Sequence, residues 1–200
     1  MPRKVQITKE IILDAALKLL IREGYSAVNI KSLARELHCS TQPISWQFEN
    51  MEGFRAALAT YALSYTNGIV KSDSKNALVA FKEIGQAYID LSFDMPNLYR
   101  FVGMNESGTH DTKGMLSILD HDRNTYFAEV LAKMLGISVD KSRNFIITMV
   151  TYTHGLSALI TTGMVKEDRE TVKKLMFDTG TNYLVGLGVE RDLAMKFSER

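Results

Sequence analysis

Apolar side chains recur at intervals of three and four residues along most of the chain. Residues 9–24 are the clearest example, because one face of a helix drawn through them carries Ile12, Ala15, Ala16, Leu19 and Leu20. This spacing is typical of an amphipathic α-helix. Thr8 precedes the pattern and Gly24 follows it, which predicts an N-cap and a C-terminal stop.

Similar patterns predict helices along the rest of the chain. Asn29, Ser40 and Asn50 are the expected N-caps of the second, third and fourth helices. No stretch alternates apolar and polar positions as a strand would, and only three prolines occur. The sequence therefore predicts an all-α protein of about nine helices. The expected helices cover residues 9–24, 30–37, 41–48, 51–70, 74–94, 96–104, 115–135, 141–163 and 168–187.

The third expected helix, residues 41–48, contains the only tryptophan of the chain. At about 100° per residue, Ile44 and Phe48 share one face of this helix, and Trp46 lies away from them among small polar side chains. Two short helices joined by a tight turn have the helix-turn-helix layout, in which the second helix enters the major groove of DNA. The alternative is that Trp46 packs beneath the C-terminal helices.

A characteristic set of positions is spread over the segment IILDAALKLLIREGYSAVNIKSLARELHCSTQPISWQFENMEGFRAAL. These positions are Ala15, Ala16, Gly24, Tyr25, Leu33, Ala34, Leu37, Ser40, Trp46, Phe48, Asn50 and Glu52. Through them, residues 8–67 resemble the DNA-binding domain of the TetR family of bacterial transcriptional regulators. The family implies a homodimer with an N-terminal helix-turn-helix domain, here residues 6–66. Residues 67–200 would form a larger helical bundle for effector binding and dimerisation.

The resemblance places the DNA contacts on the second and third helices. The expected DNA-binding residues are Asn29, Lys31, Ser40, Thr41, Gln42, Pro43, Ser45, Trp46 and Gln47. Thr41, Gln42 and Pro43 would meet base edges, where a Gln amide can pair with adenine and a Pro ring can touch a thymine methyl. Trp46 and Gln47 would meet the DNA backbone, and the residues of the second helix would contact phosphates.

The chain differs from the family pattern at four positions that lie among the expected DNA-binding residues or close to them. His38 stands where the family usually has a turn glycine, and Gln47 where it has a histidine. Ser45 and Met51 replace a Tyr and a Lys that commonly touch DNA phosphates. These two replacements motivate an alternative function, a helical ligand-binding protein with weakened or lost DNA binding.

The C-terminal part contains the segment TYTHGLSALITTGM, residues 151–164, which resembles an element of some TetR-family members. Small residues on this helix would allow a second helix to approach closely. The expected dimer interface comprises Gly155, Ala158, Thr162, Met176, Thr179 and Tyr183, although this face could instead pack within the chain. The expected effector-binding residues are Tyr99, Phe101, Met104, Tyr126, Met149 and His154, for which the alternative is a place in the core.

The overall composition says little about the partners of the protein. The 200 residues carry a net charge of +1, and Arg3 and Lys4 could form a basic N-terminal arm. Cys39 is the only cysteine, which excludes an internal disulfide and fits the reducing cytoplasm. It is interpreted as a buried, inert thiol rather than a redox sensor, since no second cysteine could resolve its oxidised form. No run of about 18 apolar residues is present, so no membrane partner is expected.

The sequence does not favour an enzyme. Asp120, His121 and Asp122 could suggest a metal site, but no HExxH, CxxC, GxSxG or phosphate-binding loop is present. No cofactor and no metal are therefore expected. The expected partners are an operator in double-stranded DNA, a second copy of the chain and a small-molecule effector of unknown identity. Repression is the usual role in the family.

Overall fold

A computed structural model of the protein describes residues 7–106, 108 and 122–198. Its described residues form ten α-helices and a 3-10 turn at Tyr25–Ala27, and they contain no strand. The helices are α1 (Lys9–Glu23), α2 (Ile30–Glu36), α3 (Thr41–Trp46), α4 (Met51–Ile69), α5 (Ala77–Asp94), α6 (Pro96–Gly103), α7 (Asp122–Leu135), α8 (Val139–Thr161), α9 (Arg169–Gly186) and α10 (Arg191–Met195). The all-α prediction is confirmed. Helix α10 was not expected, and residues 115–121 of the seventh expected helix lie outside the described residues.

Local capping signals explain where the N-terminal helices begin. The Thr8 hydroxyl accepts a hydrogen bond from the Ile11 N–H, and Asn29 Oδ1 accepts one from the Ser32 N–H at 3.0 Å. Asn50 Oδ1 accepts from the Gly53 N–H at 2.8 Å. Ser40 occupies the N-cap position of α3, but its side chain makes no capping bond. Each bond satisfies an N–H group that has no partner inside its helix.

The first of two compact units contains α1–α4 and α6. Helix α6 packs against α1 and α4, although the sequence-based division at residues 66–67 assigned it to the second domain. The Asn97 amide donates to the Ile21 carbonyl oxygen at 3.1 Å, and the Phe101 ring lies 4.9 Å from the Tyr25 ring, centroid to centroid. Helix α6 thus completes the core that it forms with α1 and α4.

The second compact unit contains α5 and α7–α10. Helix α8 packs against α5, α7 and α9 around a core rich in aromatic side chains. The Phe197 ring makes edge contacts with the rings of Phe145 and Phe177, at centroid distances of 5.6 and 5.8 Å. Gly180 is required beneath it, because a Cβ at that position would overlap the Phe197 ring. Phe197, which follows α10, therefore belongs to this core.

Candidate nucleic-acid interface

The turn between α2 and α3 is held by backbone hydrogen bonds. The Cys39 N–H donates to the Ala34 carbonyl oxygen at 3.0 Å, and the His38 N–H donates to the Arg35 carbonyl oxygen at 3.2 Å. His38 has a φ of 49°, the left-handed conformation that glycine adopts most readily. The family-like turn is thus retained with a histidine in the strained position, and the Cys39 thiol is partly buried within it.

Helix α3 has one buried face and one exposed face. Ile44 is buried, and with Leu33, Phe48 and Phe54 it lines an apolar hollow on the inner side of α3. Trp46 is 75% exposed, so it packs beneath none of the helices that the structure describes. Thr41, Gln42 and Ser45 are also exposed, and Pro43 is partly exposed. These side chains therefore form the exposed outer face of α3 that the helical periodicity predicted.

Several of the expected DNA-binding side chains already have partners within the protein. Asn29 Nδ2 donates to the Ala27 carbonyl oxygen at 3.2 Å, in addition to the capping bond of its Oδ1. The Ser45 hydroxyl donates to the Thr41 carbonyl oxygen at 3.2 Å. Gln47 Nε2 donates to the Ile7 carbonyl oxygen at 3.0 Å and is partly buried. Contacts of these three side chains with DNA remain predictions.

The basic side chains around the helix-turn-helix differ in their ion pairing. Arg22 contacts Glu36 at 2.5 Å and Glu23 at 2.8 Å, and Lys18 contacts Asp14 at 2.7 Å. The Arg22 guanidinium lowers the pKa of Glu36 through its hydrogen bond and its charge. Exposed pairs of this kind contribute little to stability. They do mean that Lys18 and Arg22 are already ion-paired with carboxylates of the same chain. Lys31 is exposed in the first turn of α2.

The six expected effector-binding residues do not lie in one compact unit. Tyr99 and Phe101 are buried in the core of the first unit, and Met104 is exposed after α6. Tyr126 is exposed on α7 of the second unit, where Met149 is buried. His154 is half-buried on α8, and its Nδ1 lies 3.0 Å from the Tyr88 hydroxyl on α5. An effector site that includes any of them remains a prediction.

The expected dimer residues also divide into two groups. Gly155 is exposed on α8 and Thr162 is exposed at the C-cap of that helix, and a Cβ added to Gly155 would meet no atom within 4 Å. Ala158 and Thr179 are partly exposed, and the Tyr183 ring stacks on Phe145 of its own chain. Met176 is only 1% exposed, so its proposed interface role is corrected to a core role. The exposed apolar side chains of these helices were not predicted from the sequence; they are Leu159, Leu175 and Val185.

The partial burial of His154 should make the stability of the second unit depend on pH. Burial lowers the pKa of His154 below its ordinary value of 6.5, so the unfolded chain binds the proton more readily than the folded one. The free energy of unfolding should therefore fall as pH decreases from about 7.5 to about 5.5. His154→Asn should reduce this fall. Urea unfolding at both pH values measures it, and equal falls in the His154 variant and the wild type would contradict it.

Two short helices, a tight turn and an exposed polar face on the second helix together define a helix-turn-helix protein. Residues 12–58 match the family model of bacterial regulatory proteins of the tetR family. The resemblance seen in the sequence is thereby confirmed: the chain has the N-terminal DNA-binding domain of the TetR family. A comparison with curated protein sequences found no match.

Solved structures of TetR-type regulators are similar in fold to this chain over most of its length. BioQ in complex with its double-stranded DNA operator is 19% identical, with a TM-score of 0.55 over 88% of this chain and 98% of that chain. TetR from Acinetobacter baumannii AYE is 16% identical, with a TM-score of 0.56 over 96% and 97% of the two chains. A variant of that TetR in complex with minocycline is 18% identical, with a TM-score of 0.52 over 96% and 97%. Among the helices that the structure describes, none is both long and apolar enough to cross a membrane.

Proposed function

We propose that this protein is a transcriptional regulator that binds a palindromic DNA operator as a homodimer. The observation that carries the proposal is the outer face of α3, where Trp46, Gln42 and Thr41 are exposed while Ile44 anchors the opposite face. An α-helix with its side chains is about 10–12 Å across, which fits a major groove about 12 Å wide. Such a helix presents base-reading groups only if one side remains free of protein contacts.

The contacts divide into base readers and backbone contacts. Gln42 is exposed in the first turn of α3, and its amide can donate to and accept from one adenine. Pro43 beside it can contact a thymine methyl group. Lys31 and the N–H groups at the start of α2 can meet phosphates, which fix the register of the protein on DNA. Trp46 supplies a flat surface against the sugar-phosphate backbone.

The C-terminal unit supplies the dimer contact and the effector site in this proposal. Exposed small and apolar side chains on α8 and α9, including Gly155, Leu159 and Leu175, support a contact between two copies. A two-fold dimer would read an inverted repeat. TetR-type proteins of the same fold have been solved with an operator and with minocycline. We propose that a small molecule releases this protein from DNA, with a coupling of about 1–3 kcal/mol, and that the protein acts as a repressor in the bacterial cytoplasm.

Selection of bound sequences from a pool of random DNA duplexes tests the proposal. The expected result is enrichment of one inverted repeat, because each subunit places one α3 helix in a major groove. Enrichment of a single, unrepeated site would contradict the homodimer. If no sequence is enriched at low salt, the alternative is favoured: a helical ligand-binding protein in which Ser45 and Met51 accompany the loss of DNA binding.

Gln42→Ala should relax base preference at one base pair in each half-site. Losing a bidentate contact to one base costs about 1–3 kcal/mol of discrimination. Competition binding with operators changed at single positions measures the preference. Ser45→Ala is the matched control on the same helix, because the Ser45 hydroxyl already donates to the Thr41 carbonyl oxygen. Unchanged preferences at every position in the Gln42 variant would show that this side chain does not read a base.

A further inference from the structure

Two contacts join the start of α1 to the segment at the end of the recognition helix α3. Gln47 Nε2 donates to the Ile7 carbonyl oxygen at 3.0 Å. Lys9 Nζ lies 5.3 Å from the centroid of the Phe48 ring, and that ring packs edge-on against Phe54 at 5.0 Å. The first turn of α1 is therefore attached to the segment that follows Trp46, forty residues along the chain.

Lys9 differs from the other basic residues of α1 in its partners. Lys18 is paired with Asp14, and Arg22 is paired with Glu23 and Glu36. Among the residues that the structure describes, no carboxylate lies within ion-pair distance of Lys9. An aromatic ring attracts an ammonium group through its face but does not neutralise the charge. The Lys9 charge is thus held in place and remains available to an anion.

We infer that Lys9 is a DNA-phosphate contact, positioned beside the recognition helix by the Phe48 ring and by the Gln47–Ile7 hydrogen bond. This inference rests on the proposed function. It places a cation at the C-terminal end of α3, close in the chain to Ser45 and Met51, where two phosphate-binding side chains of the family pattern are absent. The cation comes from α1 rather than from α4, so its position depends on packing between helices.

The competing interpretation is that Lys9 is an exposed lysine whose stem packs on Phe48 and whose charge is only solvated. The salt dependence of DNA binding separates the two interpretations. Each phosphate neutralised by a lysine releases condensed counterions and contributes about −0.9 to the slope of log K against log salt concentration. A solvated lysine away from the phosphates contributes much less, because charges separated by more than a Debye length are screened.

The experiment measures duplex binding by fluorescence anisotropy at several salt concentrations between about 50 and 200 mM. The wild type, Lys9→Gln, Lys18→Gln and Phe48→Leu are compared on the selected operator and on an unrelated duplex. Lys18→Gln is the matched control, because it removes the same charge from the same helix at an ion-paired position. Circular dichroism confirms that each variant is folded, as expected for the changes at the two exposed lysines.

The expected result is that Lys9→Gln makes the slope shallower by about 0.9 per bound subunit on both duplexes and leaves base preference unchanged. Phe48→Leu should weaken binding while the slope changes less, because the charge is kept but no longer positioned. If Lys9→Gln leaves the slope unchanged, or if Lys18→Gln changes it equally, the inference is overturned and the proposed function stands. If the wild type binds neither duplex at low salt, both are overturned.

Discussion

Trp46→Ala should weaken DNA binding by about 2 kcal/mol per subunit, which is about thirtyfold. The expected loss follows from about 80 Å² of ring surface covered on docking, at about 25 cal/mol per Å². The loss should be similar on every DNA sequence, because the ring meets the backbone and carries no base-specific hydrogen bond in this proposal. The melting temperature should change little, since the side chain is 75% exposed in the protein.

Binding of the Trp46 variant to the selected operator and to an unrelated duplex provides the measurement. Trp46→Phe is the control, because it keeps an aromatic surface and should retain much of the affinity. Unchanged affinity in Trp46→Ala would show that the exposed ring is not part of the DNA interface. A loss confined to the operator would instead make Trp46 a base reader.

Phe197→Ala should lower the free energy of unfolding of the second unit by about 3–5 kcal/mol, the usual cost of truncating a buried phenylalanine. The ring is 2% exposed and packs against Phe145 and Phe177, and Gly180 leaves the space that it fills. Its removal would leave a cavity that the surrounding helices can close only in part. The effect is large because the Phe197 side chain packs against several other residues of the core.

Urea unfolding followed by circular dichroism measures this loss. The control is Met195→Ala, a truncation two residues earlier at a side chain that is 45% exposed, which should cost much less. Equal unfolding midpoints for Phe197→Ala and the wild type would show that the end of the chain does not contribute to the core. Gly180→Ala should also destabilise this unit, because the added methyl group needs the space of the same ring.

Signals within a few residues of each other determined the helices and the faces of the recognition helix. Thr8, Asn29 and Asn50 were expected as N-caps, and their side chains make the capping bonds. A cap needs only the residue and the N–H group three positions later, so sequence alone can locate it. The same holds for Ile44 and Trp46, because the helical period fixes which side chains lie on opposite faces.

Only the tertiary structure decided which apolar side chains are buried against another helix. Met176 was expected on the dimer-facing side of its helix, yet it is buried beside Gly85. Tyr99 and Phe101 are core residues of the first unit because α6 packs against α1 and α4. Helical periodicity gives the angle of a side chain around its own helix, but it does not say which side another helix will cover.

The sequence by itself therefore determined an all-α protein with a TetR-type helix-turn-helix and an outward Trp46. The contacts that bring distant segments together were decided only by the folded chain. Lys9 lies over Phe48 and Gln47 bonds to Ile7 across about forty residues of sequence, and Phe197 fills the space above Gly180. The physical reason is that such contacts depend on the packing of several helices at once, which no local pattern of residues specifies.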